Sequence, residues 1–333
     1  MKEERIAYLA LTKQGRGLAA RLCDALGGTV SSLEEGMTLD AFTKKAFAEN
    51  TAIVFVCAMG IAVRAIATYI MDKTKDPAVV VIDEKALHVI PVLSGHLGGA
   101  NALAKRIAKV TGAEAVITTA TDVNGVFAVD EWARVQGFAV CNRERIRDVS
   151  AKLLDAETVT VHSRFPVDGE VPKGVILTDA EDADVFLDVH RRTDALLLVP
   201  RALVLGCGTR KGITREELEA WFARFLEEMN VAEEAIDGVA TIDIKLREAG
   251  LLAFCNAHGW TLQGYSAAAL AEAEGAFDAS AFVEQTTGVD NVCERSAVLC
   301  SGGTLFVKKH AAQGVTFALA MKPFRTDWRH TDG

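Results

Sequence analysis

The feature that most constrains this chain is a repeating order of short apolar runs, glycine-bearing turns and helical segments. Residues 6–11 form an apolar run, and Gly15-Arg16-Gly17 turns it into a helix over 18–26. A helix near 39–48 follows, then a β-branched run at 52–57 and a helix after Gly60. Strands are predicted at 78–82 and 87–93, a glycine-rich loop at 94–99, a helix at 100–110 and a strand at 115–118. Short apolar runs alternating with helices imply a largely parallel sheet covered on both faces.

The rhythm weakens between about 137 and 200, where apolar runs at 159–161, 175–177 and 196–199 carry no glycine cluster. Pro166-Val167-Asp168-Gly169-Glu170 reads there as an exposed loop. The rhythm returns with a strand at 202–205, a glycine-rich loop at 206–212 and a capped helix running to about 229. Thr214-Arg215-Glu216-Glu217 is a capping box, in which Thr accepts from the backbone three residues on and Glu217 reaches back. A strand at 239–244, a helix at 251–258 and a closing hairpin at 305–307 and 315–320 complete the pattern. With 333 residues, more than one domain is expected. The expected fold is α/β, with largely parallel sheets flanked by helices. An N-terminal α/β domain (1–136) and a C-terminal α/β domain (201–333) are joined by a small middle α/β module (137–200).

Residues 51–71 are long and apolar enough to span a bilayer. Arg64 lies well inside that run, where a charge is costly, and the β-branched first half differs from the helical second half. A buried strand, a turn at Ala58-Met59-Gly60 and a helix fit better. The start, Met1-Lys2-Glu3-Glu4-Arg5, carries acids and leads into a strand, so it does not read as a signal peptide. Seven cysteines without a CxxC pair indicate neither a disulfide framework nor a zinc ribbon, so a reducing cytoplasm is expected. A net charge of −9 with no long Lys/Arg run speaks against nucleic acid as partner. An anionic small molecule would then need a local positive site.

Three segments offer one. In Ser94-Gly95-His96-Leu97-Gly98-Gly99-Ala100-Asn101, glycines admit close backbone approach and the following helix start offers free N–H groups. His96 is suited to proton transfer; the bland reading is a tight turn with a solvated histidine. Gly206-Cys207-Gly208-Thr209-Arg210-Lys211-Gly212 is neither a Walker A loop nor GxGxxG, but it offers two cations before a capped helix. Cys207 reads as a buried small residue rather than a nucleophile. The segment from Glu284 through Thr286, Thr287, Asp290 and Asn291 to Ala297 is polar and reads as a surface loop ending in a helix. No spacing matches a metal site.

Together these segments resemble the cobalt-precorrin-5A hydrolase family of anaerobic cobalamin biosynthesis. The resemblance runs through AMGIAVRAIA (58–67), VVVIDEKALHVIPVLSGHLGGAN (79–101), ITTATDVNG (117–125), LVLGCGTRKGIT (203–214) and VEQTTGVDNVCERSA (283–297). It covers nearly the whole chain, and SGHLGGAN combined with GVDNVCER is its most specific part. The resemblance implies that water opens a δ-lactone on cobalt-precorrin-5A and that acetaldehyde leaves, giving cobalt-precorrin-5B. It also implies that the enzyme needs no cofactor, because the conjugated macrocycle and the cobalt carried by the substrate can act as electron sink.

On that reading His96, Glu284 and Asp290 are the candidate catalytic residues. The helix start should lower the His96 pKa and leave a neutral base near pH 7. Met59, Gly60, Arg64, Ser94, Gly95, Gly98, Gly99, Asn101, Gly206, Cys207, Gly208, Arg210, Lys211, Thr286, Thr287 and Asn291 are the candidate contacts to the carboxylate-rich substrate. A cleft shared by the first and third parts is expected, as are contacts with other enzymes of the pathway. The alternatives are a tetrapyrrole methyltransferase, for which no glycine loop is convincing, and a non-catalytic carrier of a corrinoid intermediate. No membrane partner is expected.

Overall fold

Strands in the first third send successive side chains to opposite faces of one sheet. The computed structural model describes residues 4–33, 36–72 and 75–329. Met1 to Glu3, on which part of the signal-peptide reading rests, lie outside the described residues, as do residues 330–333. The first sheet contains β1 (Ile6–Ala10), β2 (Thr29–Ser31), β3 (Ala52–Val56), β4 (Ala78–Ile82), β5 (His88–Leu93) and β6 (Glu114–Ala115). Their order is β2-β1-β3-β4-β5-β6. Ile6, Tyr8, Val54, Val56, Val80 and Ile82 face one way and pack on α1 (Lys13–Leu26) and α4 (Ala100–Thr111). Ala7, Leu9, Ile53, Phe55, Val79 and Val81 face the other way, onto α2 (Leu39–Glu49) and α3 (Met59–Ile66). Period-two alternation thus serves two cores at once.

The apolar run at 51–71 divides into β3 and α3, as its composition predicts. No helix among the described residues is long and apolar enough to cross a membrane. β1 to β4 are parallel where they pair, but β5 runs antiparallel to β4, with Leu93 opposite Val79.

After α5 (Ala120–Asn124) and α6 (Val129–Gln136) a second sheet forms. Its elements are β7 (Ala139–Cys141), α7 (Arg145–Leu154), β8 (Val159–Ser163), β10 (Val175–Leu177), β11 (Val185–Leu187) and β12 (Leu196–Val199), with strand order β10-β8-β11-β12-β7. Val129, Trp132 and Ala133 of α6 pack into its core. The expected exposed loop at 166–170 instead contributes β9 (Val167–Asp168).

The third sheet holds β13 (Leu203–Thr209), β14 (Ile236–Ile242), β15 (Thr261–Tyr265), β16 (Thr304–Ala312) and β17 (Val315–Met321), ordered β15-β14-β13-β17-β16. α8 (Arg215–Glu228) and α9 (Ala249–His258) connect the parallel strands β13, β14 and β15. The capping box at Thr214 and Glu217 opens α8. α10 (Ala267–Ala271), α11 (Ala281–Thr287) and α12 (Cys293–Ser301) follow β15, and α12 lies against β13. The hairpin β16–β17 closes the sheet antiparallel. One core joins the second and third sheets. Last, β18 (Thr326–Asp327) pairs with β9, which is why the segment at 166–170 is not a free loop.

Two sequence expectations fail here for one reason: backbone packed close to backbone. β13 does not stop at Leu205 but continues through Gly206, Cys207, Gly208 and Thr209, leaving Arg210 to Gly212 as the turn. Gly206 is a packing glycine, because a Cβ there would lie 1.8 Å from the carbonyl oxygen of Cys293 in α12. The segment 284–297 is not a surface loop either. Asn291, Glu294 and Ser296 are buried. Glu294 is tolerated inside because it accepts from the backbone N–H groups of Asp278 and Lys309 and from Asn291 Nδ2.

Candidate active site

The expected site residues fall into separate groups. Met59 and Gly60 follow β3, at the carboxyl end of the parallel strands, with β1 next to β3 and β2 on the far side of β1. That is a topological switch point, where open α/β sheets bind ligands. Thr12 caps α1 there, accepting from Gly15 N–H and donating to Glu84 Oε2 at 2.6 Å. Arg64 is exposed one turn along α3, with Nη1 3.4 Å from Gly60 O.

The loop carrying Ser94 to Gly99 is elsewhere. β5 is antiparallel, so its end lies beside the start of β4, and Ser94 Oγ donates to Asp76 O at 3.0 Å. The loop and the Met59–Gly60 turn, both predicted to contact one substrate, therefore lie at opposite ends of the first sheet.

Within the loop the chain is tightly wound. A Cβ on Gly98 would fall 2.3 Å from Ser94 Cβ. Asn101, a predicted substrate contact, is buried and gives its amide to Thr119 Oγ1 (2.8 Å) and Asp122 Oδ2 (3.0 Å). It shapes the loop and has no free donor to offer. His96 is held from both sides, with Nε2 2.9 Å from Asp122 Oδ2 and Nδ1 3.2 Å from Asp130 Oδ2. Thr119 Oγ1 and Lys105 Nζ also donate to Asp122, at 2.9 and 3.1 Å.

These contacts reverse the expected charge of His96. Its side chain is 13% exposed, and that burial disfavours the cation. Hydrogen bonds and charge attraction from Asp130 and Asp122 outweigh the burial and raise its pKa to about 9. Asp122 is lowered to about 2, against its own burial, by bonds from His96, Thr119 and Lys105. His96 is thus an imidazolium near pH 7 with both ring nitrogens engaged, not a neutral base. α4 does start at Ala100, but Asp122 and Asp130 lie closer in effect than its dipole.

In the third sheet Gly206 and Cys207 are buried, so neither can contact a ligand as predicted. Burial raises the Cys207 thiol well above its ordinary pKa, which removes it as a nucleophile. Gly208 lies within β13, opposite Thr316. Arg210 and Lys211 are exposed; Arg210 Nη2 bonds Glu217 Oε1 at 2.5 Å, and its stem passes over Gly314. Of the 284–291 candidates, Asn291 is buried and bonded to Asp278 O and Glu294, so it too is corrected from substrate contact to internal tie. Asp290 is ion-paired with Arg295 at 2.9 Å. Thr287 Oγ1 donates to Val283 O. Glu284 and Thr286 are exposed on α11.

Among the described residues, the hydrogen bonds of the 94–101 loop share no residue with those of 210–212 or 284–291. A hollow of about 580 Å³ lined by Arg5, Thr29, Phe42, Lys45 and Glu49 contains none of the expected residues. The sequence reading missed Asp122 and Asp130, far from His96 in sequence; Thr119-Ala120-Thr121-Asp122 as a helix-opening segment was the available signal.

Residues 41–122 match the family described as cobalamin synthesis G N-terminal, and residues 203–320 match cobalamin synthesis G C-terminus. The chain is 34% identical to a cobalt-precorrin-5A hydrolase of Salmonella typhimurium (strain LT2), over 96% of this chain and 99% of that one. The chain belongs to the cobalamin synthesis G family. A cobalt-precorrin-5A hydrolase of Priestia megaterium is 31% identical over 84% of this chain and 80% of its own length. A cobalamin biosynthesis protein G homolog from Sulfolobus solfataricus, solved by crystallography, covers 95% of this chain at 20% identity with a TM-score of 0.42. The first family match ends at Asp122, one of the two carboxylates bonded to His96, and the stretch between the two matches holds the other, Asp130, and the second sheet.

Proposed function

We propose that this chain is a cobalt-precorrin-5A hydrolase of cobalamin biosynthesis. It opens the ring-A δ-lactone and releases acetaldehyde, giving cobalt-precorrin-5B. The observation that carries the reading is end-to-end similarity to a relative of that name, at 34% identity over 99% of its length. Water adds to the lactone carbonyl, the ring C–O bond breaks, and a carboxylate and a hydroxyl result. The hydroxyl then loses its proton, the adjacent carbon–carbon bond breaks, and acetaldehyde leaves. The released electron pair passes into the macrocycle, which takes up a proton. The cobalt arrives with the substrate and the chain supplies no cofactor of its own.

Of the three residues predicted to move protons, His96 has both ring nitrogens on aspartates and Asp290 is tied to Arg295. Glu284 is exposed and has no side-chain partner among the described residues. Glu284 is therefore the proposed base, and His96 the tie that fixes its own loop. Exposed Arg64, Arg210 and Lys211 supply positive charge for a polycarboxylate. The seven unpaired cysteines favour the cytoplasm, the −9 charge disfavours nucleic acid, and handover contacts with other pathway enzymes follow from an unstable substrate. The test is acetaldehyde release from cobalt-precorrin-5A by the purified chain. A chain that binds the substrate and releases none is a carrier, and the hydrolase reading falls.

A further inference from the structure

The carboxyl end of the third sheet carries an apolar shelf that no sequence motif marks. β13, β14 and β15 are parallel neighbours, so the segments that follow them open on one side of the sheet. Arg210 and Lys211 follow β13. A single 3-10 turn, Asp243–Lys245, follows β14 and leaves Ile244 63% exposed and Leu246 37% exposed. Glu248 ties the two segments together: its Oε1 accepts from Gly212 N–H at 2.9 Å and its Oε2 from Lys245 Nζ at 3.4 Å. Leu246 lies over β15 at Gly264, where a Cβ would come within 2.7 Å of Leu246 Cδ1. The glycine keeps that room for the leucine. Val283 of α11 packs against the cluster that holds Ile242, the last residue of β14, as does Tyr265 at the end of β15, so Glu284 belongs to the same end of the sheet.

Scattered exposed aliphatic residues are ordinary. Here two of them stand on the segment that Glu248 ties to Gly212, next in sequence to Lys211, a lysine with no ion-pair or hydrogen-bond partner among the described residues in a chain of net charge −9. Arg210 and Lys245 flank the shelf, each already on a glutamate. A corrinoid precursor has the complementary chemistry, with an apolar ring face and a rim of acetate and propionate groups. We propose that Ile244 and Leu246 seat one face of the corrinoid ring, and that Lys211, with Arg210 beside it, receives rim carboxylates. This deepens the hydrolase reading and rests on it. It places the ring at the end of the domain that carries Glu284, and it gives the Lys211 charge a partner that the protein itself does not provide.

The test uses the whole chain and two readouts. The first is absorbance titration with cobyrinic acid, a stable cobalt corrin polycarboxylate. The second is acetaldehyde release over a range of cobalt-precorrin-5A concentrations. Ile244→Asp puts a like charge under the ring, Lys211→Glu inverts the rim contact, and Ile176→Asp makes the first change at an exposed residue of β10 as a control. The expected result is at least tenfold weaker cobyrinic acid binding for Ile244→Asp and Lys211→Glu, with Ile176→Asp unchanged. Lys211→Glu should also lose much of the salt dependence of binding. In turnover, Ile244→Asp should raise KM at least tenfold with kcat largely kept. If wild type releases acetaldehyde and the two variants bind and turn over as it does, the seat is wrong and the hydrolase reading stands. If wild type binds cobyrinic acid through these residues but releases no acetaldehyde, the shelf is a corrinoid site and the hydrolase reading fails. A loss of binding equal in all three variants overturns the seat.

Discussion

Replacing His96 with Asn separates a structural imidazolium from a catalytic base. The His96 pKa rises from 6.5 to about 9 in the folded chain. At roughly 1.4 kcal/mol per pH unit, that rise corresponds to about 3 kcal/mol of stabilisation by the cationic form. The side chain is only 13% exposed, so solvent screening removes little of it. The sign follows from the direction. A raised pKa means the contribution is complete below pH 6.5 and fades as pH climbs through about 9. Asp122, lowered to about 2, sets the acid limit, where its contribution fades as pH falls from 3.8 through 2. His96→Asn should therefore destabilise the loop by about 3 kcal/mol at pH 6 and far less at pH 10. The amides of Ala100 and Asn101 report on it, because they bond the carbonyls of Ser94 and Gly95 at 3.1 and 2.9 Å. Their hydrogen-exchange protection in wild type and variant, together with an NMR titration of the His96 ring, measures the effect. A titration midpoint near or below 6.5, or a loss of protection equal at pH 6 and pH 10, refutes the reasoning.

Glu284→Gln should lower acetaldehyde release by roughly a hundredfold or more while the fold persists; near-normal release would remove Glu284 as the base. Gly206→Ala forces a methyl group into the Cys293 carbonyl, 1.8 Å away, and should cost about 3 kcal/mol or more, read as a fall in urea midpoint or loss of soluble protein. Trp328→Ala removes a ring stacked on Trp132 at 4.9 Å and should cost about 3–5 kcal/mol, visible in the unfolding midpoint and the tryptophan fluorescence.

Much of the fold was legible because its central strands are buried throughout and so read as continuous apolar runs. β3, β4 and β12 match runs visible in the sequence almost residue for residue. Strand direction was less visible, although a clue was present. Only residues 83–87 separate β4 from β5, too few for a parallel crossover, so the pair had to be a hairpin. That clue would have moved the His96 loop to the other end of the sheet. Gly206 looked like a loop residue because glycine usually marks turns, yet it also marks places where two backbones approach. Asn291 and Glu294 looked like surface residues because polarity alone cannot reveal that internal donors await them. Charge state was the least legible property, since it depends on carboxylates brought in by folding from 26 and 34 residues away.

The position of Asp130 explains why the loop and the far end of the chain belong to one arrangement. Asp130 lies on α6, the helix that also carries Trp132 into the core joining the second and third sheets. Trp132 stacks on Trp328 and donates from Nε1 to Asp327 O at 2.7 Å, while Gln136 of the same helix bonds Asp327 and Thr326. Thus α6 holds His96 on one side through Asp130 and is held on the other by the strand that follows the third sheet. The charge on His96 closes the connection, because a neutral ring could donate to only one of the two aspartates. The raised pKa is then a consequence of docking the His96 loop onto α6 through Asp130. A base with a free nitrogen would leave that joint half-made.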